Sequence, residues 1–320
     1  MKVLVTNASS DLGLSLIQSL TKSGSEVYAV DERPLLLDKT VTFIQEDIMN
    51  LHHVDSRIDQ IYHISFNLDE NHPVESALKN SVGTLNVLRI ANVKRARIVL
   101  VTDPSVYQMY EIPSEANKAS IEKSVLFAEA LTAAYYKEKG VDARIARACD
   151  VYGPTQGIVT DLAKLSMKDL EIQIDNEDAY PCYVEDASTA IIKLMQSENQ
   201  GVKARPIDIC GYKIDKEGIA KLAKKMLNSQ SKITVVKRDK RAYKPNAELA
   251  RELLEWEPRY EIKEGLEMII KSLRAGGNNE RLGRVKRKNN GLHPLPETCI
   301  LQREHSPNQK EGICLLELLG

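Results

Sequence analysis

Residues 3–13 read Val3-Leu4-Val5-Thr6-Asn7-Ala8-Ser9-Ser10-Asp11-Leu12-Gly13, and this stretch decides the fold. Its first four residues predict a short buried strand, and apolar residues at helical spacing then run from Leu12 to Leu20. A strand, a turn with the spacing Gly-x-x-Gly-x-x-Gly and a helix form the phosphate-binding unit of a dinucleotide site. In this chain only Gly13 retains glycine at that spacing, because Asn7 and Ser10 occupy the other two positions.

The segments after this unit alternate between strands and helices. Further strands are predicted at residues 26–30, 41–44, 61–64, 98–101 and 143–147. Helical stretches lie between them, the longest at residues 73–93 and 116–139. Such alternation is typical of a parallel sheet that is covered on both faces. We therefore predict an α/β fold with a Rossmann-type doubly wound parallel sheet.

The pattern changes in the second half of the chain, where short helices alternate with isolated strands. We predict a dinucleotide-binding domain at residues 1–152 and a smaller C-terminal substrate lobe at 153–274, interleaved with the first domain. Residues 275–320 contain several prolines and a basic cluster but no periodic pattern, so they are predicted to form a disordered tail.

Composition argues against several classes of protein. The 320 residues include 44 Lys+Arg and 45 Asp+Glu, a formal charge of -1 that argues against nucleic-acid binding. No apolar run reaches the ~20 residues that a membrane span needs, and no signal-peptide pattern precedes the first strand. The five cysteines are an odd number without a Cys-x-x-Cys pair: Cys149, Cys182, Cys210, Cys299 and Cys314. They predict a reducing, cytoplasmic location, with neither a disulfide framework nor a metal site.

The candidate cofactor site combines the first loop with acidic residues that follow later strands. The loop contributes Asn7, Ser10, Asp11, Leu12 and Gly13. Asp31 ends the second predicted strand, where it would accept a hydrogen bond from an adenosine ribose hydroxyl. Asp47 and Ile48 follow the third strand and are placed for the adenine edge.

Three features of the loop would weaken phosphate binding. Asn7 is the mildest change, since Asn enters left-handed backbone conformations more readily than other non-glycine residues. Ser10 carries a side chain where phosphate would approach the backbone, and the Asp11 carboxylate would compete with that phosphate. An alternative therefore stays open, in which Ser9 or Ser10 caps the helix and no ligand binds.

Further landmarks occur in a fixed order along residues 1–274. They comprise Asn80-Ser81-Val82-Gly83-Thr84, Ser105-Val106-Tyr107, Tyr152-Gly153-Pro154, Tyr183-Val184-Glu185-Asp186 and Leu254-Glu255-Trp256-Glu257-Pro258. In this order they resemble the NAD-dependent epimerase/dehydratase family, the extended short-chain dehydrogenases that act on nucleotide sugars. The last landmark is especially similar to UDP-glucuronate decarboxylases. The resemblance implies NAD as cofactor and a nucleotide sugar as substrate.

The resemblance also implies a mechanism, in which NAD oxidises a sugar carbon and later returns the hydride. In the family a tyrosine acts as base, helped by a lysine four residues later, and a Thr or Ser at the end of the fifth strand binds the reacting hydroxyl. The tyrosine and lysine positions fall on Ile121 and Val125, which carry no ionisable group. The threonine position is Asp103, and the glutamate that decarboxylases use two residues later is Ser105. His63 is interpreted as a packed strand residue and not as a base.

The substrate positions implied by the resemblance depart from the family as well. The asparagine before the Gly-Pro turn is replaced by Asp150, whose charge would repel a sugar diphosphate. Two arginines that bind this diphosphate fall near Ala179 and Tyr243. Arg241 and Lys244 lie close by in the sequence and would substitute for them in part.

These departures favour a pseudoenzyme that keeps the fold, has lost the chemistry and retains a ligand-binding or regulatory role. The alternative is an active NAD-dependent nucleotide-sugar decarboxylase, epimerase or dehydratase in which Asp103 is the relocated acid or base. A third hypothesis is that the loop binds no dinucleotide. Family members commonly dimerise through two long helices, and one apolar helix face predicts a homodimer or a heterodimer with an active paralogue. That face carries Val125, Leu126, Ala128 and Leu131.

Overall fold

A parallel sheet of seven strands organises the chain. The computed structural model describes residues 1–65, 69, 71–104, 116–237 and 243–275, with the side chains of 116–119 left aside. Its strands are β1 (Lys2–Thr6), β2 (Glu26–Asp31), β3 (Val41–Gln45), β4 (Gln60–Ile64), β5 (Arg97–Thr102), β6 (Ala143–Ala148), β7 (Val151–Tyr152), β8 (Ile172–Asp175), β9 (Asp178–Ala179), β10 (Cys182–Tyr183), β11 (Pro206–Ile209), β12 (Ile214–Asp215) and β13 (Ile233–Val236). Its α-helices are α1 (Asp11–Lys22), α2 (Pro73–Leu78), α3 (Thr84–Lys94), α4 (Ala116–Lys139), α5 (Ile158–Met167), α6 (Val184–Gln196), α7 (Lys216–Leu227), α8 (Ala247–Leu254) and α9 (Ile262–Arg274).

The strand order across the main sheet is β11-β6-β5-β4-β1-β2-β3, and every neighbouring pair is parallel. This order confirms the predicted Rossmann-type doubly wound sheet. Strands β2 and β3 lie on one side of β1, whereas β4 to β6 lie on the other, so the direction of winding reverses between β1 and β4. In open α/β sheets, ligands bind at the carboxyl ends of the strands next to such a reversal.

Both faces of the sheet are covered by apolar side chains. Val3 and Val5 of β1 belong to one hydrophobic core, together with residues of α1 and α6. Leu4, between them, belongs to a second core with residues of α3. Because successive side chains of a strand point to opposite faces, β1 is buried on both sides, which explains its uninterrupted apolar sequence.

The edge strand β11 comes from the second half of the chain. It pairs with β6, and Ile209 lies opposite Ala148 at the carboxyl ends of the two strands. The sequence pattern did not assign this strand to the sheet, because four residues are too short for a clear period.

The domain boundaries 1–152 and 153–274 stay a prediction, and residues 276–320 of the predicted tail lie outside the described ranges.

Local sequence explains how the helices near the carboxyl ends of β1 and β4 are arranged. Ser10 is the N-cap of α1, Asp11 lies in its first turn and Lys22 in its last, as the helix dipole favours. A π-helical segment, Lys79–Gly83, joins α2 to α3. Gly83 allows a close approach there, since an added Cβ would lie 2.7 Å from Ile48 Cγ2.

In the described part of the chain, no helix has the length and hydropathy to cross a membrane.

One cysteine prediction is wrong, because Cys149 and Cys210 form a disulfide. Cys149 directly follows β6 and Cys210 directly follows β11, so the strand pairing places them side by side. Their Cα atoms are 4.9 Å apart, although 61 residues separate them in the sequence. Only the strand order brings them together, and no local pattern encodes it. The cysteines thus no longer support a reducing compartment, and the cytoplasmic location stays a prediction.

Candidate functional site

A crevice opens at the carboxyl ends of β1, β2 and β4, where the winding of the sheet reverses. It brings together four of the residues predicted to bind a cofactor, namely Asn7, Asp31, Asp47 and Ile48. The other four predicted residues, 10–13, begin α1, and the side chain of Leu12 is buried in the core. Four of the eight predicted positions thus line one depression, and their binding of a cofactor stays a prediction.

The first loop keeps the shape of a glycine turn with a single glycine. Asn7 has a φ angle of 52°, a left-handed conformation that Asn tolerates better than most residues. Gly13 permits a close approach, since an added Cβ would overlap the Asn7 carbonyl oxygen and lie 3.0 Å from Ala8 Cα. Gly13 is therefore required for this turn, whereas Asn7 replaces a glycine at modest cost.

The side chain of Ser10 is turned into the loop. Its hydroxyl donates to the Asn7 carbonyl at 2.8 Å and accepts from the Gly13 N–H at 3.0 Å. A helix cap at Ser10, one of the two positions considered from the sequence, is therefore present. The Ser10 hydroxyl is therefore used within the loop itself.

Asp11 joins the start of α1 to the loop that follows β7. Its carboxylate accepts hydrogen bonds at 2.8 Å from both the backbone N–H and the hydroxyl of Thr155, and at 3.2 Å from the Gln156 N–H. The residue is only 3% exposed, and burial raises its pKa despite these hydrogen bonds. Gly153 lies against it, since an added Cβ would be 2.6 Å from Asp11 Oδ2. The carboxylate predicted to compete with phosphate is thus committed to a protein loop.

Asp31 connects the first loop to the end of β2. Its Oδ2 accepts from the Ser9 N–H at 2.9 Å, and its Oδ1 accepts from the Arg33 N–H at 3.0 Å. The Arg33 guanidinium also lies 3.5 Å from Oδ1. Farther along the crevice, Asp47 Oδ1 accepts from the Met49 N–H at 2.8 Å, which shapes the turn after β3. Both acidic residues therefore hold loops in place around the crevice.

An ion pair that the sequence did not predict crosses the crevice. The Lys79 ammonium lies 2.8 Å from both carboxylate oxygens of Glu32 and 2.8 Å from Glu75. Glu32 follows β2 and Lys79 begins the π-helical segment, and both line the crevice. Burial works to lower the pKa of Lys79, but the two carboxylates outweigh it and hold the pKa above its usual value. The Lys79 ammonium therefore stays protonated, and the carboxylates of Glu32 and Glu75 more than balance its charge.

His63 is a neutral, packed histidine, as the sequence interpretation proposed. Its Nδ1 lies 2.8 Å from Thr6 Oγ1, and its Nε2 lies 2.9 Å from Thr84 Oγ1. The Thr84 hydroxyl donates to the Asn80 carbonyl at 2.6 Å, so it accepts from His63 and the ring proton is on Nε2. Complete burial lowers the pKa of His63 to about 3. At neutral pH this ring carries no charge and serves as a link between β1, β4 and α3.

The end of β5 carries Thr102 and, directly after it, Asp103, the residue at the family's threonine position. Thr102 is fully buried and donates to the Glu129 carboxylate on α4 at 2.7 Å. Asp103 follows it directly and is half-buried. Ser105 lies outside the described residues.

Ile121 and Val125 lie on the interior face of α4, with exposures of 1% and 0%. Between them, the Ser124 hydroxyl donates to the Ile121 carbonyl at 2.6 Å and accepts from Asn80 Nδ2 at 3.2 Å. Asn80 also lines the crevice, so this part of α4 lies directly behind it. Hydrocarbon side chains thus occupy both positions that the resemblance assigns to the acid–base pair.

The apolar α4 face predicted for dimerisation is partly interior. Val125 and Ala128 are each 0% exposed within this single chain, so the prediction is wrong for these two residues. They lie at the spacing that directs a helix face towards the sheet. Leu126 and Leu131 are half-buried, and Phe127, outside the predicted face, is 54% exposed.

A buried ionic network near the carboxyl ends of β5, β6 and β11 was not predicted from the sequence. Arg147 binds the Glu129 carboxylate through two nitrogens, at 2.8 and 3.1 Å, and its third nitrogen donates to Tyr243 at 3.1 Å. The Tyr243 hydroxyl in turn donates to Asp208 at 2.8 Å. Burial and the Asp208 charge raise the pKa of Tyr243 to about 12. The signal for this network was a pair of charged residues, Glu129 and Arg147, inside otherwise apolar segments.

The remaining candidate substrate residues are scattered. Asp150 is exposed, has a φ angle of 39° and accepts from the Tyr180 N–H at 2.7 Å. Ala179 is fully buried and Lys244 is exposed, while Arg241 lies outside the described residues. Within the described ranges, no group of three or more His, Cys, Asp or Glu residues is arranged to hold a metal ion.

Relatives of this chain can be recognised from sequence. A model of the NAD dependent epimerase/dehydratase family matches residues 3–210. UDP-glucuronic acid decarboxylase 6 of Arabidopsis thaliana is 25% identical over 311 residues, which cover 86% of this chain and 89% of the relative. UDP-glucuronic acid decarboxylase 1 of Xenopus tropicalis is 25% identical over 326 residues, which cover 89% of this chain and 76% of the relative.

Solved structures share the fold at lower identity. The epimerase Mth375 of Methanothermobacter thermautotrophicus superposes with a TM-score of 0.75 at 20% identity, covering 86% of this chain and 92% of its own. The UDP-glucuronic acid 4-epimerase of Bacillus cereus, solved with UDP-glucuronic acid and NAD, gives 0.72 at 22% identity, covering 85% of this chain and 100% of its own. At these identities the likeness establishes the fold alone.

Proposed function

Since this chain belongs to the NAD dependent epimerase/dehydratase family, we propose that it is a UDP-glucuronate decarboxylase-like homologue that binds its ligands without turning them over. One observation carries the proposal: the acid–base positions are Ile121 and Val125, which are buried in the interior of α4. A hydrocarbon side chain neither accepts nor donates a proton. The role that remains is ligand sensing or regulation, with a nucleotide sugar as the class of ligand.

Features of the crevice support a retained but weakened site for NAD. Each Asp31 oxygen accepts one backbone N–H, and a carboxylate oxygen has room for a second donor such as a ribose hydroxyl. Ser9 Oγ is buried without a hydrogen-bond partner among the described residues, so a ligand oxygen would satisfy it. Bound NAD would supply a hydride acceptor, while Asp31 and the loop would bind and orient its adenosine half. Ser10 in place of glycine would weaken the approach of the phosphates.

Calorimetry with NAD tests the binding half of this proposal. We expect saturable binding to the wild-type protein, weakened about tenfold or more by Asp31→Ala, because a hydrogen bond to a charged group contributes ~1.5–3 kcal/mol. Asp55→Ala is the matched control, since the Asp55 side chain is fully exposed and lies outside the crevice. Absence of any NAD binding would favour the hypothesis of an empty helix cap.

Incubation with NAD and UDP-glucuronate tests the catalytic half. We expect no release of carbon dioxide and no conversion of the nucleotide sugar above a protein-free control. Steady conversion by the purified protein would overturn the proposal. In that event the half-buried Asp103 is the first candidate for the acid or base, and Asp103→Asn should abolish turnover while NAD binding persists.

Assembly through the outer side of α2 to α4 is a further part of the proposal. Val74, Leu78 and Val82 recur at a spacing of four and are exposed, and the α2 segment packs beside α4, which exposes Phe127. We propose that a second copy or a paralogue covers these residues. Light scattering should show a dimer that Phe127→Glu dissociates and that Val236→Glu, on β13, leaves intact. A monomeric wild-type protein would contradict the homodimer.

A further inference from the structure

The disulfide lies at the carboxyl edge of the main sheet. Cys149 and Cys210 are both buried and directly follow β6 and β11. The Cys149 N–H donates to the Ile209 carbonyl at 2.9 Å, the last hydrogen bond between the two strands. Because β11 is an edge strand of four residues, it pairs with β6 alone and would fray readily without a further link. The disulfide supplies that link.

The residues that follow the two cysteines hold one segment from both sides. The Asp150 carboxylate accepts from the Tyr180 N–H at 2.7 Å, and the Asp150 carbonyl accepts from the Cys182 N–H at 3.4 Å. From the other strand, the Gly211 N–H donates to the Tyr180 carbonyl at 3.1 Å. Gly211 also lies against the segment, since an added Cβ would overlap the Pro181 carbonyl oxygen. The disulfide thus joins the two supports of residues 180–182.

Residues 180–182 continue into elements that lie at the same carboxyl edge of the main sheet. Residues 182–183 form β10, which pairs with β7, and α6 begins at the next residue. The ring of Tyr183 packs against Tyr152 and Tyr260, with ring centres 5.4 and 4.8 Å apart. A displacement of residues 180–182 would therefore move the wall next to Asp150, the candidate substrate residue.

We propose that the Cys149–Cys210 disulfide is a redox-operated clasp, which holds residues 180–182 in place when oxidised and releases them when reduced. This proposal is independent of any turnover. A dithiol reductant supplies the two electrons: its thiolate attacks one sulfur, the other sulfur leaves as a thiolate and takes a proton, and the second thiol of the reductant resolves the mixed disulfide. The products are two protein thiols and the oxidised reductant. A disulfide oxidant such as oxidised glutathione reverses the exchange.

Cys182 lies in the clasped segment and provides a natural control. It is a free thiol, fully buried, and burial raises its pKa well above the usual value. A thiol in that state is a poor attacking group, so it should not exchange with the disulfide. Cys182→Ser is therefore expected to leave the redox response unchanged.

Hydrogen exchange of the full-length chain tests the clasp, with the redox state checked by peptide mapping. After oxidised glutathione and alkylation, we expect a cross-linked peptide pair containing Cys149 and Cys210. Dithiothreitol should then raise the exchange rate of the amides of residues 180–184 about tenfold or more, while those of β1 stay unchanged. The double variant Cys149→Ser/Cys210→Ser should resemble the reduced protein and should not respond to dithiothreitol.

Two results would overturn the proposal. One is full alkylation of both cysteines after oxidised glutathione, which would mean that no disulfide forms. The other is equal exchange at residues 180–184 in both redox states, or a rise shared equally by β1, which would indicate a purely structural bond. If the double variant fails to fold, the oxidised and reduced wild-type protein still provide the comparison.

Discussion

Replacement of Asp11 tests the connection between the start of α1 and the loop after β7. Its carboxylate accepts three hydrogen bonds, at 2.8, 2.8 and 3.2 Å, from Thr155 and Gln156. Asp11→Ala leaves these donors without a partner, at a cost of ~1–3 kcal/mol for each buried group. Since such losses are not additive, we expect the free energy of unfolding to fall by roughly 2–4 kcal/mol. For a chain of this size this lowers Tm by about 3–6 °C.

Asp11→Asn separates the hydrogen bonds from the charge. The amide keeps an oxygen that accepts from the backbone N–H groups and removes a buried carboxylate, so we expect a loss below ~1.5 kcal/mol. Burial raises the pKa of Asp11 in the folded state, so the folded chain binds a proton more tightly than the unfolded chain. Stability of the wild-type protein should therefore decrease as pH rises from ~3.9, the unfolded value, through the raised folded value. Asp11→Asn should lack this decrease.

Urea denaturation at several values between pH 4 and pH 7 is the assay. Asp55→Ala is the control, because its side chain is fully exposed and its replacement should change stability by less than ~0.5 kcal/mol. Two outcomes would refute the reasoning. One is a loss below ~0.5 kcal/mol for Asp11→Ala, and the other is an equal loss for the Ala and Asn variants.

Three further predictions concern interior groups. Their effects on stability are measured by the same urea denaturation, and turnover is measured by incubation with NAD and UDP-glucuronate. Burial lowers the pKa of His63 to about 3, so between that value and ~6.5 the unfolded chain binds a proton that the folded chain does not bind. The free energy of unfolding should therefore fall as pH decreases from ~6.5, and His63→Gln should flatten this part of the pH profile. Arg147→Met removes one partner of the Glu129–Arg147 ion pair and should lower the free energy of unfolding by ~3–5 kcal/mol. The double variant with Glu129→Gln should recover part of that loss, and a larger loss in the double variant would contradict the pairing. Ile121→Tyr with Val125→Lys should lower stability by ~3 kcal/mol or more and restore no turnover, because both side chains would enter a packed interior.

Most of the main sheet followed from local patterns. The short, mainly apolar segments of β1, β2, β4 and β5 could be recognised because a strand covered on both faces is apolar along most of its length. β11 was missed because Pro206–Ile209 is short and joins the sheet only by pairing with β6. Its position also explains why the cysteine prediction failed.

Part of the crevice could be predicted from residue type and position at the ends of strands. Asn7, Asp31, Asp47 and Ile48 were assigned from their positions after strands, and the structure brings them to one crevice. The Lys79 ammonium that crosses this crevice was not predicted, because its partner Glu32 is 47 residues away in the sequence. Charge pairs of that separation depend on which loops the sheet brings together.

By itself, the sequence determined the strand-turn-helix unit at residues 3–13 and the hydrocarbon side chains at positions 121 and 125. Periodicity and residue identity are local properties, so they can be read without coordinates. Only the tertiary structure decided that Asp11 binds Thr155, 144 residues away, that Cys149 reaches Cys210 across 61 residues, and that Val125 faces the interior. These contacts depend on strand order and on which helix face packs against the sheet, and both emerge only when distant segments bury their apolar surfaces together.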